Sequence, residues 1–449
     1  MQQNRNDELF TRAPIPKAFV TLCLPVVLGM VVNLLYNMVD TYFVGRLNDP
    51  NQMAAVSLCA PIFIILMGLG NIFGIGGSSV ISRLMGEKQY DRVHAASSFC
   101  FWGAILVGVI VGAGLLVFCG SLLPLLGASE NTADFAASYL VWILIGAPLI
   151  LANFALMNIL RCDGAARQSM VGNVIGSLVN IALDPILILA LGMGVRGAAI
   201  ATMVGYLASV IYFIHYVLNG RGSLSIAPQD VRPDGEIVTG ILAIGLPASI
   251  TNVLSSVSNI FLNNLLLGYG DTAIAAMGIA LKINQIVTLT QVGFAGGLPP
   301  IIGYNYGAKN AARLRAVMKA ACGFMLAVGA VLSVVVFALA PVMVRIFMDV
   351  EEIVAPGVQM LRALMLCGPF LGVLFVVTNF FQATGKAVPA MVLSLCRQGV
   401  AFLGVLLAMN AIWGWNGIVY AQPVADYITL IIAFALFAAA GRSALRTDA

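Results

Sequence analysis

The chain has 449 residues, of which 60% are hydrophobic and only 9% are charged. A soluble domain of this length needs far more charge on its surface, so the composition excludes a soluble globular protein. The formal net charge of +4 is small and gives no reason to expect a nucleic-acid partner. The long apolar runs are continuous rather than alternating, which favours membrane-spanning helices over a closed barrel.

Hydropathy predicts 12 membrane-spanning helices joined mostly by short loops. The predicted spans are residues 17–44, 53–82, 94–119, 135–159, 166–191, 195–218, 237–267, 273–303, 314–340, 355–381, 388–411 and 416–440. The longest polar break, residues 219–236, is rich in Gly, Pro and charged residues, as linkers are. We therefore predict an all-α polytopic membrane protein with an N-terminal lobe (1–218), a cytoplasmic linker (219–236) and a C-terminal lobe (237–449).

The basic residues predict the orientation of these spans. If both termini are cytoplasmic, 17 Lys and Arg residues fall on the cytoplasmic side and 3 on the opposite side. Such a bias is typical of the cytoplasmic loops of membrane proteins. The first apolar run is too long for the core of a signal peptide, so we interpret it as an uncleaved first helix.

The two halves of the chain repeat. Pro25 matches Pro247 and Pro148 matches Pro369, at an offset of about 221 residues. With six spans in each half, the second half begins on the same side of the membrane as the first. Parallel six-helix repeats with a cleft between them are typical of transporters.

The repeat fails where the first lobe has acidic residues. At the same offset, Asp40 falls near Leu262 and Asp184 falls near Val405. An ionisable group within a membrane helix is costly and usually functional. We therefore expect ion chemistry in the N-terminal lobe.

We predict that side chains and backbone carbonyl groups with oxygen atoms lie around these two acids. Asn180 and Asp184 lie on one polar face of the fifth span, and Pro185 is expected to open the helix and free carbonyl groups. The predicted cation site comprises Asp40, Asn180, Asp184, Thr202 and Ala198. An oxygen cage of this kind suits Na⁺, whereas either carboxylate could instead take up a proton. The alternative is that both acids only hydrogen-bond to neighbouring Asn and Thr side chains.

The sequence resembles the multidrug and toxic compound extrusion (MATE) family over nearly its whole length. The resemblance is carried by Pro25 fifteen positions before Asp40, VDTYFVGRL at the end of the first span, GIGGSSVISRLMGEK in the second, NIALDPILI in the fifth and GFAGGLPPIIGYNYGAKN in the second half. It implies a V-shaped exporter of 12 helices driven by Na⁺ or H⁺. It also implies that Asp40, Asn180, Asp184 and Thr202 form the cation site and that Pro25 is a bend that responds to it.

One MATE subgroup also uses acidic residues in the seventh and eighth helices. The corresponding spans here contain no Asp or Glu within 237–267 or 273–303. The chain therefore resembles the prokaryotic DNA-damage-inducible-F-like subgroup, and a second ion site in the C-terminal lobe is not expected.

Polar residues elsewhere in the spans are candidates for the substrate cleft. We select Asn33, Tyr36, Asn37, Asn153, Asn158, Asn259, Lys282, Gln285 and Asn379. Some of these could instead bond only between helices. Arg397 and Asp426 are expected to form a structural ion pair, because buried charges normally pair.

We therefore predict a prokaryotic plasma-membrane antiporter, acting as a monomer, that uses H⁺ or Na⁺ to export lipophilic, often cationic compounds. No cofactor other than the coupling ion is expected. The alternative is a flippase for a lipid-linked oligosaccharide, which would need a strongly cationic cleft. An intramembrane enzyme is disfavoured because the spans contain no HExxH or GxSxG motif.

Overall fold

The computed structural model describes residues 8–441 except 221, 233 and 349, and these residues form helices joined by short turns, with no strand among them. Ten helices are long and apolar enough to cross a membrane, and two bent helix pairs bring the number of spans to 12. The predicted all-α class is confirmed. The spans are Ile15–Gly45, Pro50–Gly86, Tyr90–Val117, Glu130–Ile145 with Ala147–Cys162, Ala166–Ala190, Gly194–Leu218, Gly235–Leu266, Thr272–Gly307, Ala311–Phe347, Glu351–Met365 with Gly368–Ala383, Ala387–Trp413 and Trp415–Gly441.

Side chains cap the starts of several spans. Asp49 accepts a hydrogen bond from the backbone N–H of Asn51 at 2.9 Å, and Pro50 occupies the first helical position of the second span. Asp234 accepts from the backbone N–H of Ile237 at 2.8 Å at the start of the seventh span. These contacts satisfy donors that the first turn of a helix leaves without partners.

The two lobes share unusual local geometry at equivalent positions. The fourth span bends by 52° just before Pro148, and the tenth bends by 46° just before Pro369. Lys88 and Lys309, also 221 residues apart, both have positive φ angles, of 61° and 54°. The fifth and eleventh spans also contain π-helical stretches, at Pro185–Ala190 and Cys396–Val400, but these begin 211 residues apart and so are not at equivalent positions. The bends and the positive-φ lysines thus repeat at the offset that the sequence predicts.

The lobes contact each other closely at one end, which we call the basic end; it carries the turns at residues 87–89, 163–165, 308–310 and 384–386. A Cβ atom added to Gly86 would lie 2.1 Å from the carbonyl oxygen of Tyr304 in the other lobe. A Cβ atom added to Gly307 would lie 2.1 Å from the carbonyl oxygen of Arg83. Only glycine permits this approach of backbone to backbone.

The hydrophobic core follows the same division. The largest cluster of buried side chains contains residues of both lobes, and at the basic end it joins Ile81 and Leu84 to Ile301 and Tyr304. Toward the opposite end, a separate cluster of buried side chains belongs to the C-terminal lobe alone. Buried side chains therefore join the lobes at the basic end, whereas the C-terminal lobe has a core of its own toward the opposite end.

The linker between the lobes packs on the N-terminal lobe. Ser97 and Ser98 of the third span donate hydrogen bonds to the carbonyl oxygen of Ser225 at 2.9 and 3.0 Å. The Trp102 indole N–H donates to the carbonyl of Ile226 at 3.0 Å. Beyond this segment, Arg92 forms ion pairs with Asp234 and Glu236 at 3.0 and 2.6 Å. Residues 223–227 are therefore anchored to the third span and its surroundings rather than suspended between the lobes.

A buried acid holds the start of the linker. Asp163 lies in the turn between the fourth and fifth spans, and its Oδ1 accepts a hydrogen bond from the backbone N–H of Ser223 at 3.0 Å. Burial raises the pKa of Asp163 to about 7, although the hydrogen bonds from Ser223 act in the opposite direction.

Four basic residues assigned to the cytoplasmic side lie outside the described residues, namely Arg5, Arg221, Arg442 and Arg446.

Candidate functional site

The structure brings the two acids of the N-terminal lobe together. Asp40 lies in the last third of the first span, and Asp184 is the last α-helical residue of the fifth span and is fully buried. Their negative charges are close enough to interact. Asp40 Oδ1 and both carboxylate oxygens of Asp184 are buried without a hydrogen-bond partner in the described part of the chain.

The other predicted cation ligands are linked to each other by hydrogen bonds. The side-chain amide of Asn180 donates to the Thr202 hydroxyl at 3.3 Å, and Thr202 donates to the carbonyl of Ala198 at 2.9 Å. Asn180 Oδ1 is buried and has no partner among the described residues. Ala198 therefore enters the group through its backbone carbonyl, and the Asn180 oxygen remains available to a cation.

The two prolines that we expected to act as hinges lie in different settings. The fifth span changes from α-helix to π-helix at Pro185, directly after Asp184. Proline lacks the N–H group of an α-helical hydrogen bond, so it leaves a carbonyl group in the preceding turn without its usual donor. Pro25 lies inside the continuous helix Ile15–Gly45, fifteen residues before Asp40.

A small cavity of about 20 Å³ lies beside this group, which is room for one water-sized species. Asn180 and Thr202 line it together with Tyr36 and Tyr206. Four buried oxygens without partners, next to a hydroxyl and a carbonyl, are the donors that a hard monovalent cation prefers. The residues present therefore fit Na⁺, and either carboxylate is equally able to take a proton.

A larger cavity of about 580 Å³ lies between the lobes. It adjoins the small cavity, because Asn33, Tyr36, Asn173 and Tyr206 line both. Seven of the predicted cleft residues line it, namely Asn33, Tyr36, Asn37, Asn153, Asn158, Gln285 and Asn379. Asn259 and Lys282 are exposed and are not among its described lining residues, and the Asn259 amide donates to the carbonyl of Ser255 at 2.9 Å.

The lining also includes residues that we did not select from the sequence. Eleven Asn and Gln side chains line the large cavity, including Asn71 and Gln398. Arg161 lines it too, although the sequence places this residue only in the cytoplasmic basic set. The available signal was helical spacing, because Asn153, Met157 and Arg161 follow each other at intervals of four.

Arg397 and Asp426 are paired as expected. Arg397 Nε lies 3.4 Å from Asp426 Oδ1, and the Gln422 amide donates to the same oxygen at 3.1 Å. The guanidinium carbon of Arg397 lies 4.7 Å from the centre of the Phe375 ring. Arg397 and Phe375 both line the large cavity, so this ion pair borders the space between the lobes.

Comparisons with known proteins agree with this architecture. The MatE family model matches residues 25–186 and again residues 247–407, one match in each lobe. The chain is 34% identical over 424 residues to the multidrug export protein MepA of Staphylococcus saprophyticus, covering 94% of both chains.

Solved structures of MATE transporters have the same fold. A MATE crystal structure in complex with MaL6 superposes with a TM-score of 0.90 at 27% identity, covering 99% of this chain and 100% of that one. An outward-facing multidrug resistance MATE transporter superposes with a TM-score of 0.87 at 27% identity, covering 98% and 99%.

This chain is a multi-pass membrane protein of the MatE family of multidrug transporters. The resemblance that the sequence motifs indicate is thereby confirmed. Its curated relatives are multidrug exporters rather than enzymes, and the comparisons do not favour the flippase alternative.

Proposed function

We propose that this transporter is an antiporter that uses an inward flow of H⁺ or Na⁺ to export lipophilic, often cationic compounds by alternating access. The observation that supports it most strongly is the buried pair of Asp40 and Asp184 with three carboxylate oxygens lacking hydrogen-bond partners among the described residues. Buried carboxylates with no compensating partner are costly unless a cation or proton neutralises them.

The coupling follows from this cost. When a cation enters, it removes the repulsion between Asp40 and Asp184. The free side-chain oxygen of Asn180 and the Thr202 hydroxyl then complete its coordination. The helices that carry these residues can then pack more closely. The cation moves the equilibrium only by the difference between its affinities for the two states, and this difference drives release of the exported compound.

Two helix irregularities are suited to carry the change. The π-helix after Asp184 can rearrange its hydrogen bonds without unfolding the span, and π-helical turns are frequent at functional sites. Pro25 removes one hydrogen bond from the first span, which also carries Asp40. We propose that these two points absorb the bending when the cation site fills.

The basic residues set the direction of transport in this proposal. The excess of Lys and Arg supports a cytoplasmic location for the basic end, and with it for both termini, in a prokaryotic cell. The cleft then faces the outside, which is the state in which drug leaves and the coupling ion enters. One chain contains both lobes and the cavity between them, so we propose a monomer as the working unit.

Transport by the purified protein tests the proposal. The protein is reconstituted in liposomes, a Na⁺ gradient or a pH gradient is imposed separately, and ethidium movement is followed by fluorescence. Asp40→Asn and Asp184→Asn are expected to abolish gradient-driven efflux while leaving the protein folded. Asp134→Asn, which changes an exposed acid of the fourth span, is the matched control and is expected to keep it. Wild-type efflux by Asp40→Asn at normal expression would refute the site.

A further inference from the structure

The large cavity has an unexpected charge. Arg161 and Arg397 are the only charged side chains among its described lining residues, and no Asp or Glu is among them. Asp40 and Asp184, the acids of the cation site, line neither this cavity nor the small one. The space proposed to hold the exported compound is therefore positively charged, and its neutral polar groups are carboxamides and hydroxyls.

Arg397 has donors that remain available on the cavity side. Its Nε is directed to Asp426 at 3.4 Å, and its guanidinium lies over the Phe375 ring. Its terminal Nη groups donate no hydrogen bond within the part of the chain that the structure describes. The pair with Asp426 and the ring thus hold the guanidinium in place, and the four N–H donors of its two Nη groups are left for a ligand.

Arg161 has no carboxylate partner within 4.0 Å among the described residues. Its Nε donates to the Ser169 hydroxyl at 3.3 Å. It lies in the last turn of Ala147–Cys162, where the helix carbonyl groups favour a cation. A neutral hydroxyl does not compensate a guanidinium that is largely removed from water, so an anion at this position would be stabilised.

We propose that the large cavity selects amphiphiles that carry a carboxylate, as zwitterions or anions, over the same compounds without it, and that Arg161 and Arg397 bind this group. A guanidinium matches a carboxylate through two parallel hydrogen bonds. The amide oxygens of the cavity accept hydrogen bonds from an ammonium at the other end of a zwitterion. The inference rests on the proposed export function and narrows its substrate class.

The apolar body of such a compound also has a place in the cavity. Phe63, Phe154 and Tyr206 form a set of neighbouring rings, with centroids 6.2 and 6.3 Å from Phe63 and Phe154 to Tyr206. All three side chains line the cavity. Aromatic faces of this kind bind flat, fused ring systems, so a planar aromatic carboxylate fits both features.

A matched pair of dyes tests the charge preference. Rhodamine B is a zwitterion with a carboxylate, and its ethyl ester is a cation with the same ring system. Binding of each dye to the full-length protein in lipid nanodiscs is followed by fluorescence anisotropy, with empty nanodiscs subtracted. We expect the wild-type protein to bind the acid at least about tenfold more tightly than the ester, the scale of one charge-assisted hydrogen bond.

Variants assign the preference to the two arginines. Arg161→Gln and Arg397→Gln should each lower the preference by about threefold or more. Arg397→Gln leaves Asp426 without its cation, so the double variant R397Q/D426N keeps the site neutral if the single variant fails to fold. Arg362→Gln is the control, because Arg362 also lies over an aromatic ring but does not line the cavity. It should retain the wild-type preference.

Several results would overturn the inference. These are equal affinities for acid and ester in the wild type, or an unchanged preference in both Arg161→Gln and the Arg397 variants. If short-chain phosphatidic acid displaces rhodamine B at lower concentration than a fatty acid of equal chain length does, the anion site is for a phosphate lipid instead. Binding is measured without any ion gradient, and driven efflux is followed with rhodamine B as well as with ethidium. Failure of both dyes to move would refute the proposed antiport independently of this result.

Discussion

Replacing one glycine at the contact between the lobes should shift the balance between the two transport states. In Gly86→Ala the new methyl carbon would lie 2.1 Å from the carbonyl oxygen of Tyr304, and in Gly307→Ala it would lie 2.1 Å from that of Arg83. Both obstacles are backbone atoms of the opposite lobe, so rotation of a side chain cannot relieve them. The basic end must open slightly, while each lobe can keep its own packing.

The size of the shift follows from the cost of overpacking. Forcing an extra methyl group into a close-packed contact typically costs about 1–3 kcal/mol. Because about 1.4 kcal/mol corresponds to a factor of ten, the ratio of open to closed basic ends should rise by about 5- to 150-fold. The alanine variants should therefore populate the state in which the cavity faces the basic end.

The distance between labels on the two lobes measures this shift. Labels at Asp91 and Arg315, which are exposed near the basic end, are attached through unnatural amino acids because the chain has eight cysteines. Pulsed electron resonance should show a longer-distance population in Gly86→Ala and Gly307→Ala. Gly323→Ala is the control, because a Cβ atom there meets nothing within 4 Å. If all three variants match the wild type, the contact does not hold the lobes closed.

Three further changes test other contacts. Thr202→Val removes the hydroxyl that Asn180 contacts, so it should weaken the dependence of transport on its coupling ion, measured as a higher ion concentration at half-maximal rate, without unfolding the protein. Asp426→Asn leaves Arg397 without a counter-charge in a mostly buried position and should lower the free energy of unfolding by about 3 kcal/mol, read as a lower Tm. Burial raises the pKa of the Asp163 carboxyl from 3.8 to about 7. Its contribution to the free energy of unfolding is therefore present below pH 4 and is lost as the pH rises to about 7. Asp163→Asn should flatten the fall in Tm across that pH range.

The spans were predictable because continuous apolar runs and helix-breaking residues are local signals. Pro148 and Pro369 occupy equivalent positions in the two halves of the repeat, and a helix bend lies just before each of them. The association of Asp40 with Asp184 was also accessible, since both interrupt apolar helices and the other lobe has Leu262 and Val405 at the equivalent positions. These predictions depend on the chemistry of single helices in lipid.

The lining of the large cavity was harder to predict because it depends on how helices of both lobes rotate and meet. Asn259 and Lys282 are polar residues of the seventh and eighth spans, yet their side chains are exposed away from the described lining. Arg161 looks like an ordinary residue at a cytoplasmic helix end and nevertheless borders the cavity. Which end of the lobes is closed depends on contacts such as that of Gly86 with Tyr304, which no single span reveals.

The anchoring of the linker limits how far the lobes can separate. Because Ser225 and Ile226 are bonded to the third span, only the short stretch from Asp230 to Gly235 is left to lengthen. At about 3.4 Å per residue this stretch reaches roughly 17 Å when fully extended. The ion pairs of Arg92 with Asp234 and Glu236 reduce the free length of the linker further for as long as they persist. Any motion of one lobe relative to the other must therefore be a modest rocking about the anchored linker. We expect the ion pairs of Arg92 to be the first contacts to break in that motion.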